Sequence, residues 1–286
     1  MLSNQENIRT FLGFKFMKFA IIGRGFIYNL HEEAISKIGG EIVDVVDESS
    51  GPNTWKEMVK NTDADCIVIL APNNLHFEMA KYSAENGKTV LCEKPLTIKS
   101  EEARILMEYP SIFTVCQLRY HPLAKKIKLA LYRNEVSGAG SEMKEGESVI
   151  EMDISVHRDE SYWKSWKGMS DRSGGILFNL GIHYFDLLLY LFGEPTEIST
   201  HSLTDRMAEG TIKGKNYLCN WRISAEAPQD GQRRIFKING VNYGFSSKEN
   251  LHLHVYKDLL EKKGIIPEEA LKSIELIEKI NENFKK

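Results

Sequence analysis

The chain has 286 residues, of which 42% are apolar and 27% are charged, and its formal net charge is −3. This length is enough for two domains with ordinary hydrophobic cores, so neither a structural metal nor a disulfide is needed for folding. The mild charge and the lack of a basic block argue against nucleic-acid binding. None of the four cysteines forms a CxxC pair, and we interpret them as reduced core thiols of a cytoplasmic protein.

The N-terminal segment, residues 1–16, has no sustained apolar core, so no signal peptide is predicted. Two interpretations stay open: Met17 is the natural start, or residues 1–16 form an extra arm. The most apolar stretch, 176–192, contains His183 and Asp186 and is slightly short for a membrane span. A buried helix is therefore favoured over a transmembrane segment.

In the first half of the chain, short apolar runs alternate with helical patterns. Strands separated by helices predict parallel βαβ units and hence a doubly wound α/β sheet, the Rossmann fold. In such sheets, ligands bind at the carboxyl ends of the strands. The predicted strands are 19–23, 41–47, 65–70, 89–93 and 112–116.

Features at the ends of the first two strands favour a dinucleotide. Gly23 permits a tight turn, and Gly25 lets the backbone approach a pyrophosphate at the N-terminus of the next helix. Tyr28 stands where the third glycine of GxGxxG usually falls. Asp47 ends the second strand and is placed to bind the adenine-ribose hydroxyls, which favours NAD over NADP. A solvated turn carboxylate is the alternative.

Two more candidates follow the third and fourth strands. In the loop "APNNLH", Pro72 stiffens the backbone, and Asn73 is either a cofactor contact or only the cap of the next helix. The tripeptide Glu93-Lys94-Pro95 places a lysine where it can hydrogen-bond a reacting oxygen. The predicted cofactor contacts are Gly23, Arg24, Gly25, Phe26, Ile27, Asp47, Ala71, Pro72, Asn73, His76, Glu93, Lys94 and Gln117.

In the second half, strands follow one another with few helices between them. Asn239-Gly240 predicts a hairpin turn. An open, mainly antiparallel sheet with flanking helices predicts an α+β domain for substrate binding and assembly. We therefore divide the chain into a dinucleotide-binding domain, 1–118, and a substrate and oligomerisation domain, 119–286, whose last helix can pack back on the first. The predicted strands are 148–155, 216–224, 233–240 and 241–246.

The stretch "SGGILFNLGIHYFDLLLYLFG", residues 173–193, is predicted to be a helix between the two sheets. Asn179 and His183 are four residues apart and share one face, and Asp186 lies near that face. Buried polar groups need partners, which an active-site cleft supplies. We interpret this face as directed at the cofactor, with Asp186 either orienting His183 or making a structural hydrogen bond.

The motif "CEKP" and the later "GG…NLGIHYFD" together resemble the glucose–fructose oxidoreductase/inositol dehydrogenase (GFO/IDH/MocA) family, from about Met17 to the C-terminus. The resemblance implies a Rossmann domain, a second domain on an open antiparallel sheet, bound NAD, and Lys94 and His183 as the catalytic pair. The family's usual aspartate four residues before the histidine is Asn179 here, which argues against a proton relay through that position.

The stretches "YWKSWKG" and "QLRYHP" are more similar to the subgroup that acts on UDP-N-acetylglucosamine-derived uronic acids than to inositol or glucose enzymes. This similarity implies NAD-dependent oxidation of the sugar C3 hydroxyl in polysaccharide or lipopolysaccharide precursor synthesis. His183 would act as the base, and Lys94 would stabilise the alkoxide. The family also implies a homodimer or homotetramer formed through the C-terminal sheet, without a membrane or nucleic-acid partner. No metal site is predicted.

A UDP-uronic acid carries a diphosphate and a carboxylate, so cations are expected in the cleft, and Trp163 and Trp166 are candidate walls for the sugar or uracil. Solvated lysines and core tryptophans are the alternatives. Two other functions stay open: another sugar or inositol dehydrogenase or reductase of this family, and a non-catalytic NAD- or sugar-sensing protein. The predicted substrate contacts are Arg119, Tyr162, Trp163, Lys164, Lys167, Arg172, Asn179 and His183.

Overall fold

A computed structural model describes residues 17–133, 147–245 and 249–284, and the arm considered for residues 1–16 lies outside the described residues. The first sheet is parallel throughout. Its strands are β1 (Lys18–Ile22), β2 (Glu41–Val46), β3 (Cys66–Ile69), β4 (Thr89–Cys92) and β5 (Ile112–Thr114). Their order is β2-β1-β3-β4-β5, so the sheet order reverses beside β1, where ligands of doubly wound sheets bind.

Helices connect these strands and cover both faces of the sheet. They are α1 (Tyr28–Lys37), α2 (Thr54–Asn61), α3 (His76–Glu85) and α4 (Ser100–Leu106). Successive side chains of β1 enter different cores: Phe19 and Ile21 join one cluster, and Ala20 and Ile22 join the other. Because both faces are buried, the strands carry continuous apolar runs. Each fully buried large side chain contributes about 1.5–3 kcal/mol.

The second sheet has six strands in the order β11-β10-β6-β9-β8-β7. The pair β6 and β9 is parallel and every other neighbouring pair is antiparallel, so the sheet is mixed but mainly antiparallel. The two-sheet α/β architecture predicted from the sequence is thereby confirmed. The strands are β6 (Ser148–Ser155), β7 (Pro195–Leu203), β8 (Met207–Gly214), β9 (Tyr217–Ser224), β10 (Arg233–Ile238) and β11 (Val241–Asn242).

Strands β7 and β8 were absent from the sequence prediction. β7 has no fully buried residue, and β8 buries mainly small residues, so neither carries a strong apolar alternation. Pairing of β8 with β9, and of β7 with β8, decides their conformation instead. The predicted hairpin between β10 and β11 is present, with positive φ at both Asn239 and Gly240. β11 is shorter than the predicted strand 241–246.

The apolar stretch forms helix α8 (Ile182–Phe192), preceded by a π-helical turn at Leu177–Gly181. Within the described part of the chain, Ser170–Phe192 is the one helical stretch whose length and composition would allow it to cross a membrane. Its most apolar window is 61% buried inside the protein, which is typical of a core helix.

The end of the chain returns to the first sheet. Helix α9 (His252–Leu260) packs on α1, and α10 (Pro267–Phe284) packs between α4, α8 and β7. A backbone bridge joins Thr114 of β5 to Ile265. The shorter helices are α5 (Pro122–Tyr132), α6 (Glu160–Lys164) and α7 (Ser170–Ser173). The final segment therefore ties the two sheets together.

Candidate active site

A cleft of about 590 Å³ opens at the carboxyl ends of the first sheet's strands and is closed on its far side by the loop after β6 and by the π-helical turn. It brings together residues from six separate segments. Its lining consists of Gly25, Phe26, Ile27, Leu70, Ala71, Asn73, His76, Glu93, Lys94, Gln117, Arg158, Ser161, Tyr162, Ser165, Trp166, Lys167, Asn179, Leu180 and His183.

The glycine turn after β1 has the geometry of a phosphate-binding loop. Gly23 has φ +104°, and a Cβ there would lie 2.8 Å from the carbonyl of Leu70, so only glycine fits. Above Gly25, no heavy atom lies within 4 Å of where a Cβ would stand, which leaves room for a diphosphate. Helix α1 then begins at Tyr28 without an acidic residue in its first turn. No carboxylate of that turn therefore competes with an anion at the N-terminus of the helix.

A second observation concerns Gln117 in the wall of the cleft. The side-chain Oε1 of Gln117 is buried at the cleft wall and has no hydrogen-bond partner among the residues described. A buried acceptor without a donor is unfavourable by about 1–3 kcal/mol. The carboxamide N–H of a nicotinamide is a suitable donor for it. The glycine turn and this unpaired acceptor both fit a bound dinucleotide.

Lys94 is held in the cleft by the π-helical turn of the opposite domain. Its Nζ donates a 3.1 Å hydrogen bond to the backbone carbonyl of Asn179. π turns interrupt the ordinary helical hydrogen-bond ladder and are frequent at functional sites. Burial lowers the pKa of Lys94 from its ordinary value, while the neighbouring carboxylate of Glu93 opposes that shift. The ammonium group is thus a hydrogen-bond donor aimed into the cleft.

His183 lies in the first turn of α8 and lines the same cleft. Burial, and then the positive charge of Lys94, hold the pKa of His183 well below its usual range. The imidazole is therefore neutral near pH 7 and can accept a proton. The structure brings together the two side chains that the resemblance assigned to catalysis, one a hydrogen-bond donor and the other an acceptor.

The side chain of Asn179 links the π-helical turn to the loop after β6 by hydrogen bonds. Its Nδ2 donates to the hydroxyl of Tyr162 at 2.7 Å and to the carbonyl of Lys167 at 3.3 Å. The side chain is therefore occupied in positioning the cleft wall. This arrangement explains how asparagine can stand where the family usually has an aspartate.

Two cations of this loop, Arg158 and Lys167, face the cleft without a carboxylate partner among the residues described. The Arg158 guanidinium lies 5.0 Å from the centre of the Tyr162 ring, and Lys167 Nζ lies 5.5 Å from that of Phe26. Burial and the charge of Arg158 lower the pKa of Lys167. Like charges held together in a partly dry cleft favour an anionic ligand.

Several predicted cofactor contacts have other partners. Both ring nitrogens of His76 face backbone carbonyls, of Pro95 at 2.7 Å and of Ala71 at 2.8 Å, so this ring braces the cleft loops. Asn73 donates to the carbonyl of Ser173 at 2.7 Å. The carboxylate of Asp47 lies outside the cleft lining and accepts hydrogen bonds from Ser49, which lower its pKa.

Arg119 has a different environment from the one we predicted. Its guanidinium forms a bidentate pair with Asp186, at 2.7 and 2.9 Å, and contacts Glu269 at 2.8 Å. It is not part of the cleft lining, so the anion-binding role predicted for it does not fit its surroundings. The same pair shows that Asp186 makes a structural hydrogen bond rather than orienting His183.

Six other predicted contacts lie outside the cleft lining. Lys164 is exposed and paired with Glu160 at 2.9 Å, and Trp163 stacks with Arg206, whose guanidinium lies 4.6 Å from the ring centre. The other four are Gly23, Arg24, Pro72 and Arg172. Sequence reasoning missed Arg158, whose position directly after the buried strand β6 was the available signal.

A parallel sheet with a glycine turn at its switch point, facing an open-sheet domain across one cleft, defines a two-domain dinucleotide-binding protein. The family model described as "Oxidoreductase family, NAD-binding Rossmann fold" matches residues 17–110, and the GFO/IDH/MocA C-terminal domain matches residues 147–226. Together the two matches cover more than half of the chain, which belongs to the GFO/IDH/MocA oxidoreductase family.

Known proteins similar to this chain act on sugars. The WlbA (WbpB) dehydrogenase from Thermus thermophilus, solved in complex with NAD and UDP-GlcNAcA, is 26% identical, with a TM-score of 0.77 and coverage of 91% of this chain and 92% of that one. The 2,7-anhydro-N-acetylneuraminate hydratase of Escherichia coli is 28% identical over 64% of this chain and 52% of its own length. Glucose-6-phosphate 3-dehydrogenase of Bacillus subtilis is 28% identical over 66% and 57%. The chain spans about half the length of these two curated relatives.

Proposed function

We propose that this protein is an NAD-dependent dehydrogenase that oxidises the C3 hydroxyl of a UDP-N-acetylglucosamine-derived uronic acid in polysaccharide or lipopolysaccharide precursor synthesis. The observation that carries the proposal is the pair of cations, Arg158 and Lys167, which line the cleft with Lys94 and His183 and have no carboxylate partner in the described part of the chain. A neutral polyol would leave these charges without a partner, whereas a carboxylate or diphosphate matches them. The likeness to the Thermus thermophilus dehydrogenase supports the same substrate class.

The two catalytic side chains divide the work on the substrate hydroxyl. Bound NAD supplies the acceptor for the hydride that leaves C3. His183, neutral because of its burial, takes the hydroxyl proton as general base. Lys94 donates a hydrogen bond to the same oxygen and stabilises the negative charge that develops on it. The backbone carbonyl of Asn179 holds the lysine in place.

The second candidate is an enzyme for another sugar, and a specific observation favours it. The two cations would equally accept a sugar phosphate, the substrate class named for the relative from Bacillus subtilis. A protein that binds NAD and a sugar without turnover is a third possibility, but the presence of both Lys94 and His183 argues against it.

We place the reaction in the cytoplasm, because all four cysteines are buried free thiols.

A substrate screen tests the proposal. NADH formation would be measured with UDP-GlcNAcA, UDP-GlcNAc, glucose 6-phosphate and myo-inositol. We expect UDP-GlcNAcA to be preferred over UDP-GlcNAc by at least about tenfold in kcat/KM, because one more charged contact forms. Turnover of glucose 6-phosphate or inositol alone would select the second candidate, and binding without NADH formation would select the third.

Site variants complete this test. Lys94→Ala and His183→Ala should each lower kcat by at least about 100-fold while NAD still binds, since each removes one participant in proton transfer or charge stabilisation. Arg158→Gln and Lys167→Met should instead raise KM for the uronate. Lys164→Met is the matched control, because this lysine is exposed and paired with Glu160. Near-normal turnover of both catalytic variants would show that the site is wrongly assigned.

A further inference from the structure

Behind the cleft, three buried polar side chains from distant parts of the chain meet. They are His31 of α1, Glu93 after β4, and His252 of α9, and their polar atoms lie within 4.8 Å of one another. Nε2 of His31 is 3.1 Å from Oε1 of Glu93, and Nε2 of His252 is 3.3 Å from the same oxygen. A buried carboxylate requires hydrogen-bond donors, and both imidazole rings face that of Glu93.

The neighbouring Asn250 determines which ring nitrogen of His252 carries a proton. Its Nδ2 donates to the carbonyl of Leu30 at 2.8 Å and to Glu33 Oε2 at 3.0 Å. This fixes the amide orientation, because both of those partners only accept. Oδ1 of Asn250 therefore faces His252 and lies 3.1 Å from its Nδ1. Nδ1 must be the donor of that hydrogen bond.

The other nitrogen of His252 faces an acceptor as well. Nε2 points at the Glu93 carboxylate, and two lone pairs would repel each other at that distance. The geometry of the two contacts fits a ring with protons on both nitrogens, an imidazolium. The charge is neutralised directly by Glu93, so a charged ring is compatible with burial.

His31 has the opposite requirement. Its Nε2 donates to Glu93, but its Nδ1 faces the hydroxyl of Tyr256 at 2.8 Å, which can donate to it. A neutral ring satisfies both contacts, and burial lowers the pKa of His31 in agreement. Burial alone would raise the pKa of Glu93, but the hydrogen bonds from His252 and His31, together with the charge of His252, hold it well below its usual range.

The Glu93 carboxylate connects this cluster to the catalytic lysine. Its Oε2 accepts the backbone N–H of Lys94 at 3.2 Å. The Glu93 charge favours the ammonium form of Lys94, against the opposing charges of Lys167 and Arg158 from the loop after β6. His183, from α8, is influenced by Lys94, Glu93 and His252 together.

We infer that His252 is a positioning residue of the active site, which as an imidazolium keeps Glu93 ionised and so supports the charge and position of Lys94. The inference rests on the proposed function only for the role of Lys94, and it assigns a task to a C-terminal residue that does not line the cleft. Helix α9 thereby contributes to the active site through its contact with α1.

Two NMR measurements test this without any substrate. In the full-length protein with ¹⁵N-labelled histidine, ring-nitrogen spectra at pH 7.5 should show His252 as imidazolium and His31 as a neutral ring. In protein with ¹³C-labelled lysine, the titration midpoint of Lys94, assigned with Lys94→Arg, should fall by about one pH unit or more in His252→Gln and in Glu93→Gln. In the double variant, the Lys94 midpoint should fall no further than in Glu93→Gln alone, because His252 acts through Glu93.

The matched control is His254→Gln, on the same helix but partly exposed and paired with Glu249. It should leave the Lys94 midpoint unchanged. A neutral His252, or an unchanged Lys94 midpoint in a folded His252→Gln protein, would overturn the inference. So would one equivalent of a metal ion in the purified protein that is lost in His252→Gln, because a metal would then replace the proton. Absence of dehydrogenase activity alone would refute only the proposed function.

Discussion

At the scale of single residues, the site depends on two ionisable groups with opposite requirements. Lys94 must keep its proton to act as a donor, and His183 must be without one to act as a base. Burial shifts both pKa values downward, and the Lys94 charge adds to the shift of His183. The two groups are therefore coupled, because loss of the Lys94 charge would raise the pKa of His183.

The pH dependence of kcat/KM should consequently be bell-shaped. Activity should fall as pH decreases through the pKa of His183, below its ordinary value of about 6.5. It should also fall as pH increases through the pKa of Lys94, below its ordinary value of about 10.4. A rate profile measured with NAD at saturation checks both limbs, and an acid limb above pH 7 would contradict the assignment of His183.

Two variants distinguish the acid limb of the pH profile, assigned to His183, from the alkaline limb, assigned to Lys94. Lys94→Met removes the charge that disfavours imidazolium, so the titration of His183, followed by NMR, should move to higher pH. Lys167→Met removes a charge that acts on Lys94, so the alkaline limb should move to higher pH while the acid limb stays in place.

At the scale of elements, the turn that leads into the π helix carries the backbone geometry of the site. Gly174 ends α7 in the left-handed region at φ +79°. A Cβ there would lie 2.8 Å from the Phe178 ring and 2.9 Å from Ile98. Phe178 precedes Asn179, whose carbonyl holds Lys94, so a displaced ring would disturb the catalytic lysine.

Gly174→Ala should therefore destabilise the protein and lower kcat. The left-handed backbone costs about 1–2 kcal/mol for a residue with a side chain, and the contact with Phe178 adds about 1–3 kcal/mol. Gly87→Ala is the control, because Gly87 has φ +74° with no atom within 4 Å of its Cβ position. Thermal unfolding and kcat of both variants check this. Equal loss of stability in the two would contradict the packing argument.

At the scale of the whole molecule, the outward face of the second sheet is a candidate interface between copies. The cross-strand ion pairs Glu151–Lys237, Asp153–Arg233 and Glu209–Arg222 line it. A face that carries both signs of charge can pair with itself about a twofold axis. We propose that the protein is a homodimer or homotetramer through this face.

Light scattering after size-exclusion chromatography tests the assembly. The double variant Asn220→Arg, Thr211→Arg adds like charges at the centre of the face and should convert the assembly to monomers. Asn61→Arg, at the exposed end of α2 in the first domain, should leave the mass unchanged. A monomeric wild-type protein would contradict the proposal.

The sequence by itself determined the local features: the parallel strands, the glycine turn after β1 and the Asn239-Gly240 hairpin. Periodicity and turn chemistry are local properties, so they can be read without knowing the fold. The catalytic roles of Lys94 and His183 could also be predicted from the sequence, because each residue lies in a distinctive motif.

Only the tertiary structure decided how charged and polar side chains are partnered. Nothing in the sequence shows which of Arg119 and Arg158 faces the cleft. In the structure, Asp186 and Glu269 neutralise Arg119, whereas Arg158 lines the cleft. The cluster of His31 with Glu93 and the C-terminal helix is likewise invisible along the chain. The strength of a charge's interaction depends on distance and burial in three dimensions, and residues far apart in sequence set both.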